Sequence, residues 1–283
     1  MKKSDKLLLI PRRTEIDTFE QIKFHPLFPD IVYEIPPPII YHYASYTTAI
    51  SILTGRSLKF SSPESFNDPF DMFEGLIDFT SSGRSRKLWM QKAVDHNSNK
   101  QKRELLKKIK EVGIENFERL AYESFTRQRR ESGVCCFSEK SDIALMWSHY
   151  AEKHRGVCFG FSFQPVVSQD HYFMTLKKVK YISKIDPVNY YNKSDKCIDH
   201  WVTSKSTVWE YEKEVRGFIN DRYGYDLFPF SKICLKEIFL GCRLSKRERD
   251  EILMLVKEND YSPTNVMKME MDTSIFNIKS VPI

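Results

Sequence analysis

The chain lacks the short motifs that mark the commonest cofactor and hydrolase sites. It has no G-x-G-x-x-G, no G-x-x-x-x-G-K-[S/T], no G-x-S-x-G and no H-E-x-x-H. A local dinucleotide fingerprint, phosphate loop, nucleophile elbow and zincin pair are therefore excluded. A site assembled from distant segments stays open. Six cysteines are present without metal-ligand spacing: Cys135 and Cys136 are adjacent, and Cys158, Cys197, Cys234 and Cys242 are scattered. Several sit in apolar runs, where a free thiol behaves as a small hydrophobe. A reducing cytoplasm, no disulfide framework and no metal site are expected. The N-terminal apolar run Leu7–Ile10 is too short for a signal peptide, and no stretch is long enough to span a membrane. Internal repeats and low-complexity segments are also missing.

What is there is a globular composition. Of 283 residues 41% are apolar and 13% aromatic, with 20 Phe and 14 Tyr, enough for a substantial core. The net charge of +6 is a mild excess, compatible with a nucleotide or nucleic-acid partner without demanding one. Residues 1–38 carry Pro11, Pro26, Pro29 and Pro36–Pro38, so they read as an arm. Its apolar side chains point to packing along the domain or against a second copy. Residues 39–283 read as one α+β domain.

The stretch 133–163 organises that domain as strand, turn, short helix, loop and strand. Asp142 is placed to cap the helix, and Ile143, Trp147 and Tyr150 recur at helical spacing. Trp147, Ser148, His149 and Tyr150 put polar tips and aromatic faces within one turn. They read either as core with a boundary histidine or as a cleft wall.

Ile39–Ala44 is the first strand, with Ile40, His42 and Ala44 on one face and Ile39, Tyr41 and Tyr43 on the other. Ser45 caps the next helix and Gly55 closes it. Asn67-Asp68-Pro69 is a turn between Phe66 and Phe70, read either as a packed loop or with Asn67 and Asp68 facing a pocket. A helical insertion follows at about 84–131, and its basic runs read as solvated helix faces, with a nucleic-acid surface as the alternative. Leu176–Ser183 alternates as a strand. If residues 212–219 are extended, Glu212, Glu214 and Arg216 share a face. Ser245 and Glu248 form a capping box before an apolar helix, and one or two strands end the chain.

Four blocks then occur in order: YHYAS with FNDPF, CFSE, MWSHYA with GVCFGF, and W-x-YE-x-EVR. Together they resemble a family of uncharacterised bacterial domains, over roughly residues 39–245. The layout of that family is similar to the ADP-ribosyltransferase fold. The resemblance implies a split, mixed or antiparallel sheet gripping NAD as substrate, with no metal. It implies His42 on the first strand, followed by Tyr43, as a ligand of the adenosine ribose. It places Phe137 and Ser138 in the second motif, with Phe137 or Trp147 stacking on nicotinamide. Glu214 becomes the catalytic carboxylate, Glu212 the acceptor-orienting one, and Arg216 a partner for pyrophosphate. Trp147, His149 or Tyr150 joins the cleft wall beside the turn with Asn67 and Asp68, and His42 and Glu214 share one cleft.

The function so implied is an NAD-consuming ADP-ribosyltransferase or NAD glycohydrolase, acting on a protein or nucleic-acid acceptor. Such a protein would be an intracellular toxin or anti-phage defence effector. Two other readings stand beside it. One is a non-catalytic nucleotide- or nucleic-acid-binding module of the same fold. The other is a nucleic-acid enzyme built on the basic helices, for which no acidic cluster of metal-ligand type is tied together in sequence.

Overall fold

A computed structural model describes residues 9–11, 39–85, 107, 110–111, 113–163, 171–192, 194–220, 222, 224–261 and 264–283. Most of the proline-rich arm, and much of the insertion at 84–131, lie outside the described residues. Leu9–Pro11 pairs antiparallel with His171–Phe173. The chain divides into two compact units. The first holds residues 1–61, 133–178 and 208–283; the second holds 62–132 and 179–207. The second unit therefore takes in more than the insertion expected from sequence.

The first unit is built on one eight-stranded sheet. Its strands are Ile40–Ala44 (β1), Gly133–Ser138 (β2), Val157–Phe161 (β3), Thr175–Lys178 (β4), Glu214–Ile219 (β5), Leu235–Leu240 (β6), Asn265–Asp272 (β7) and Asn277–Pro282 (β8). Their order is β8-β7-β6-β3-β1-β2-β5-β4. All neighbours are antiparallel except β6 and β7. The fold is thus α+β with a mostly antiparallel sheet. β1 pairs with β3 along its whole length, and β2 pairs with β5 along its whole length. Between β1 and β2 a single pair, Tyr41 with Ser138, carries the ladder. The sheet therefore has a seam at that point.

Helices of this unit are Tyr46–Gly55 (α1), Ala144–Tyr150 (α2) and Lys246–Glu258 (α3). α1 and α3 cover one sheet face. Ala49, Ile52, Leu53 and Ile252 join Ile40, Ala44, Phe137, Phe159, Phe161 and Val215 in one apolar core. α2 covers the other face, where Met146 and Trp147 pack with Tyr43, Cys158 and Phe239.

Local signals explain the ends of these helices. The Ser45 hydroxyl accepts the Thr48 N–H at 3.2 Å, as an N-cap does. The capping box at Ser245 and Glu248 forms in both directions, at 3.2 and 2.8 Å. Two expected caps differ. Arg56, not Gly55, takes the left-handed position after α1, with φ 47°, while its N–H still donates to the Ile52 carbonyl. Ile143, not Asp142, precedes α2, and no side chain caps that helix. Leu176–Ser183 is also not one strand: Thr175–Lys178 joins the main sheet, while Lys180–Ile182 pairs parallel with Ser204–Ser206 in the second unit.

The second unit packs the helices Ile114–Glu131 and Ser194–Thr203 through aromatic rings. Phe125 meets Trp201 edge-on at 5.0 Å, and Phe79 stacks on Tyr190 at 5.2 Å. The Trp201 indole N–H donates to the Met72 carbonyl at 2.7 Å, and Asp71 and Lys205 form a buried ion pair at 3.4 Å.

Candidate functional site

In an antiparallel ladder, residues directly opposite one another carry their side chains on one face. Tyr41, Ser138 and Glu214 form such a row across β1, β2 and β5. One residue along, Phe137 and Val215 form the next row, on the opposite face. The alternation along β1 puts His42 on that opposite face too. The surroundings agree. His42 meets Phe137 edge-on at 5.7 Å and lies 3.8 Å from the Cys135 sulfur, both core residues of the α1–α3 face. Tyr41 lies in the α2-side cluster. The expectation that His42 and Glu214 share a cleft is therefore not met. The two side chains leave the sheet on opposite sides.

His42 acts instead across the seam. Its Nδ1 lies 2.9 Å from the Cys136 carbonyl oxygen. A carbonyl only accepts, so Nδ1 carries the proton, and in the neutral ring Nε2 is left as an acceptor. Desolvation pushes the imidazole below its ordinary pKa, and the carbonyl, which favours the protonated ring, offsets this only in part. The side chain thus bonds β2 one step beyond the last backbone pair between β1 and β2. Tyr43 is structural in its contacts. Its hydroxyl donates to the Lys140 carbonyl at 2.8 Å and its ring stands edge-on to Trp147.

On the α2 face a polar cluster gathers. Glu214, the first residue of β5, accepts from Arg216 twice: from Nε at 2.9 Å and from Nη2 at 3.1 Å. The pair lies on one strand face, and the side chains are 2% and 0% exposed. Such a fork matches carboxylate geometry and holds both oxygens. Glu212 does not share their strand. It ends the 3-10 turn Thr207–Glu212, and Lys213, with φ 47°, turns the chain before β5 begins. The expected common face of Glu212, Glu214 and Arg216 thus holds for the last two only. Glu212 is nevertheless buried, and its Oε1 accepts the Tyr150 hydroxyl at 2.6 Å. The Ser138 hydroxyl donates to the Glu212 carbonyl at 2.6 Å and accepts from the Lys140 N–H at 3.2 Å. Two distant segments, one with Ser138 and Tyr150 and the other with Glu212, Glu214 and Arg216, supply the groups on this side.

The remaining candidates fall elsewhere. Phe137 and Trp147 are 1% and 0% exposed, so neither has an open ring face for a ligand to stack on. His149 is exposed on α2, tilted against Tyr211 at 6.3 Å between ring centres. Asn67 and Asp68 belong to the second unit. There Asp68 closes its own turn, accepting the Phe70 N–H at 2.9 Å, and Phe70 is 61% exposed rather than pinning the loop. Sequence reading missed Tyr41, which stands in the Glu214 row and donates to Glu237 at 3.1 Å. Strand alternation had already set it apart from His42, but the row is visible only once β1, β2 and β5 are paired.

Among the described residues no group of three or more His, Cys, Asp or Glu side chains is arranged to hold a metal ion. Among them, too, no helix is long and apolar enough to cross a membrane.

Residues 146–217 match a family described as a protein of unknown function (DUF2971). That span begins at α2 and runs through Tyr150, Glu212, Glu214 and Arg216, so it includes the MWSHYA and W-x-YE-x-EVR blocks. The YHYAS, FNDPF and CFSE blocks precede it. No curated protein and no solved structure matches the chain.

Proposed function

We propose that the first unit is an NAD-consuming glycosyl-transfer domain, an ADP-ribosyltransferase or NAD glycohydrolase. The observation that carries this reading is the pair of carboxylates, Glu212 and Glu214, gathered with the Ser138 and Tyr150 hydroxyls beside the seam between β1 and β2. The resemblance of the motif blocks to ADP-ribosyltransferases implies a split sheet and a glutamate opening a late strand. A ladder reduced to one residue pair, and Glu214 at the first position of β5, are in keeping with both.

The chemistry follows from charge. Breaking the bond between nicotinamide and ribose builds positive charge on the ribose, which a preorganised carboxylate stabilises. Glu214 takes that role and Glu212 orients the acceptor. Glu214 and Arg216 are as buried as Phe137 and Trp147, so this role requires that face to open; substrate entry then exchanges one Arg216 contact of Glu214 for the ribose, and the freed guanidinium edge takes an anionic group such as the pyrophosphate. His42 holds the seam together rather than touching the dinucleotide. The acceptor is a protein or nucleic-acid group, and a toxin or defence-effector role follows from the same resemblance.

One observation favours a second reading. Both oxygens of Glu214 are held by Arg216 in a buried fork, the arrangement of a structural ion pair. On this reading the unit binds a nucleotide without cleaving it. Incubating the full chain with NAD separates the two. Free nicotinamide, detected by chromatography, supports transfer. NAD binding by calorimetry without release supports the binding module. Neither binding nor release removes both.

A further inference from the structure

We infer that Tyr150 is a positioning residue, and that the MWSHYA block exists in this chain to deliver its hydroxyl to Glu212. The consequence for activity rests on the transfer reading above; the contact itself does not. α2 is anchored one turn before Tyr150. Trp147 is fully buried, its indole N–H donates to the Ser141 carbonyl at 2.7 Å, and Tyr43 stands edge-on to it at 5.5 Å. The chain beyond is fixed as well. The His154 N–H donates to the Trp147 carbonyl at 3.1 Å and the Gly156 N–H to the Ala151 carbonyl at 2.8 Å. Gly156 admits no side chain, because a Cβ there would lie 2.0 Å from the Ala44 carbonyl oxygen. The Tyr150 ring therefore has a defined origin.

Its target needs a fixed donor. Glu212 is a long side chain at the end of a 3-10 turn, followed by left-handed Lys213, and it is 3% exposed. The 2.6 Å bond from Tyr150 is in the range of short hydroxyl-to-carboxylate contacts. The Ser138 hydroxyl fixes the Glu212 backbone. Backbone and side chain of one glutamate are thus held by two motif blocks, CFSE and MWSHYA.

Two measurements test this. The first is a double-mutant cycle of Tyr150→Phe and Glu212→Leu, read from denaturant unfolding of the full chain; leucine leaves no acceptor, whereas glutamine would keep one. Phenylalanine keeps the ring and removes only the hydroxyl. A direct hydroxyl-to-carboxylate contact predicts coupling of about tenfold or more in the unfolding constant. Additive effects overturn the inference, whatever the chain does to NAD. The second reads Tyr150→Phe alone, as the ratio of ADP-ribose transferred to an acceptor over nicotinamide released to water. Positioning of Glu212 predicts a fall in that ratio of about tenfold. Equal loss of both products means a merely structural role and overturns it. Coupling in a chain that releases no nicotinamide leaves Tyr150 holding Glu212 and removes the transfer reading instead.

Discussion

On one side of β1, β2 and β5 stand His42, Phe137 and Val215; on the other stand Tyr41, Ser138 and Glu214. The same three strands supply both sets by simple alternation. The first side is closed by apolar packing against α1 and α3, and its His42 ring is spent on the Cys136 carbonyl. The second side holds the Glu214–Arg216 ion pair, and Glu212 with the Ser138 and Tyr150 hydroxyls bonded to it. The difference separates two jobs that sequence reading had merged. The histidine fastens the seam, and the carboxylates lie on the side where the polar groups gather.

The largest effect that probes this contrast is expected at Arg216. Arg216→Met leaves the Glu214 carboxylate buried without its fork, at a cost of about 3–5 kcal/mol in stability. Denaturant unfolding measures it. Adding Glu214→Gln to that variant should recover part of the loss, because an amide leaves no buried charge. Without recovery, the pair is not the organising feature of that face.

A smaller effect is expected on the opposite face. His42→Ala removes the bond across the seam and leaves the Cys136 carbonyl without it, costing about 1–3 kcal/mol. The pH dependence sharpens the test. The folded-state pKa of His42 is depressed by burial, whereas the unfolded ring titrates near about 6.5. The unfolded chain then binds more protons as pH falls, so this contribution is present above the unfolded value and is lost toward acid. The stability gap between wild type and His42→Ala should narrow from about pH 7.5 to about pH 5.5. His154, also depressed by burial and by Arg243, is common to both proteins and cancels. A gap that widens toward acid would mean that the folded protein holds the ring charged.

The smallest effect concerns the turn between the carboxylates. Lys213 adopts φ 47°, which costs a side-chain-bearing residue about 1–2 kcal/mol. Glycine removes that strain but loses about 0.5–1 kcal/mol of chain entropy. Lys213→Gly should therefore raise stability by up to about 1.5 kcal/mol, visible as a small rise in Tm. A clear fall would show that Lys213 contributes contacts that outweigh its strain.

Much of the local structure was legible in the sequence because short-range chemistry sets it. The capping box at Ser245, the alternation of β1 and the apolar strand β3 follow from neighbouring residues. The alternation even assigned His42 to the Ile40 and Ala44 face. What the sequence could not give was pairing. Which face of β1 meets which face of β5 depends on β2 lying between them, and on a register set by Tyr41 and Ser138. Likewise, Glu212 left the strand because Lys213 turns left-handed, a conformation that no glycine or asparagine announced. Division into two units was hidden because residues 179–207, which belong with 62–132, follow β4 in the chain without a composition break.

The most direct test of the central claim compares nicotinamide release by wild type and Glu214→Gln, each shown by circular dichroism to be folded under the assay conditions, because removing the Glu214 charge leaves Arg216 buried without its partner and lowers the denaturant midpoint. Glutamine keeps the size of the side chain and removes the charge that would balance the ribose cation. If Glu214 supplies that charge, wild type releases nicotinamide and the variant is slower by about 10²–10³-fold. A folded Glu214→Gln that releases nicotinamide at the wild-type rate would contradict the account, leaving Glu214 and Arg216 as a structural pair.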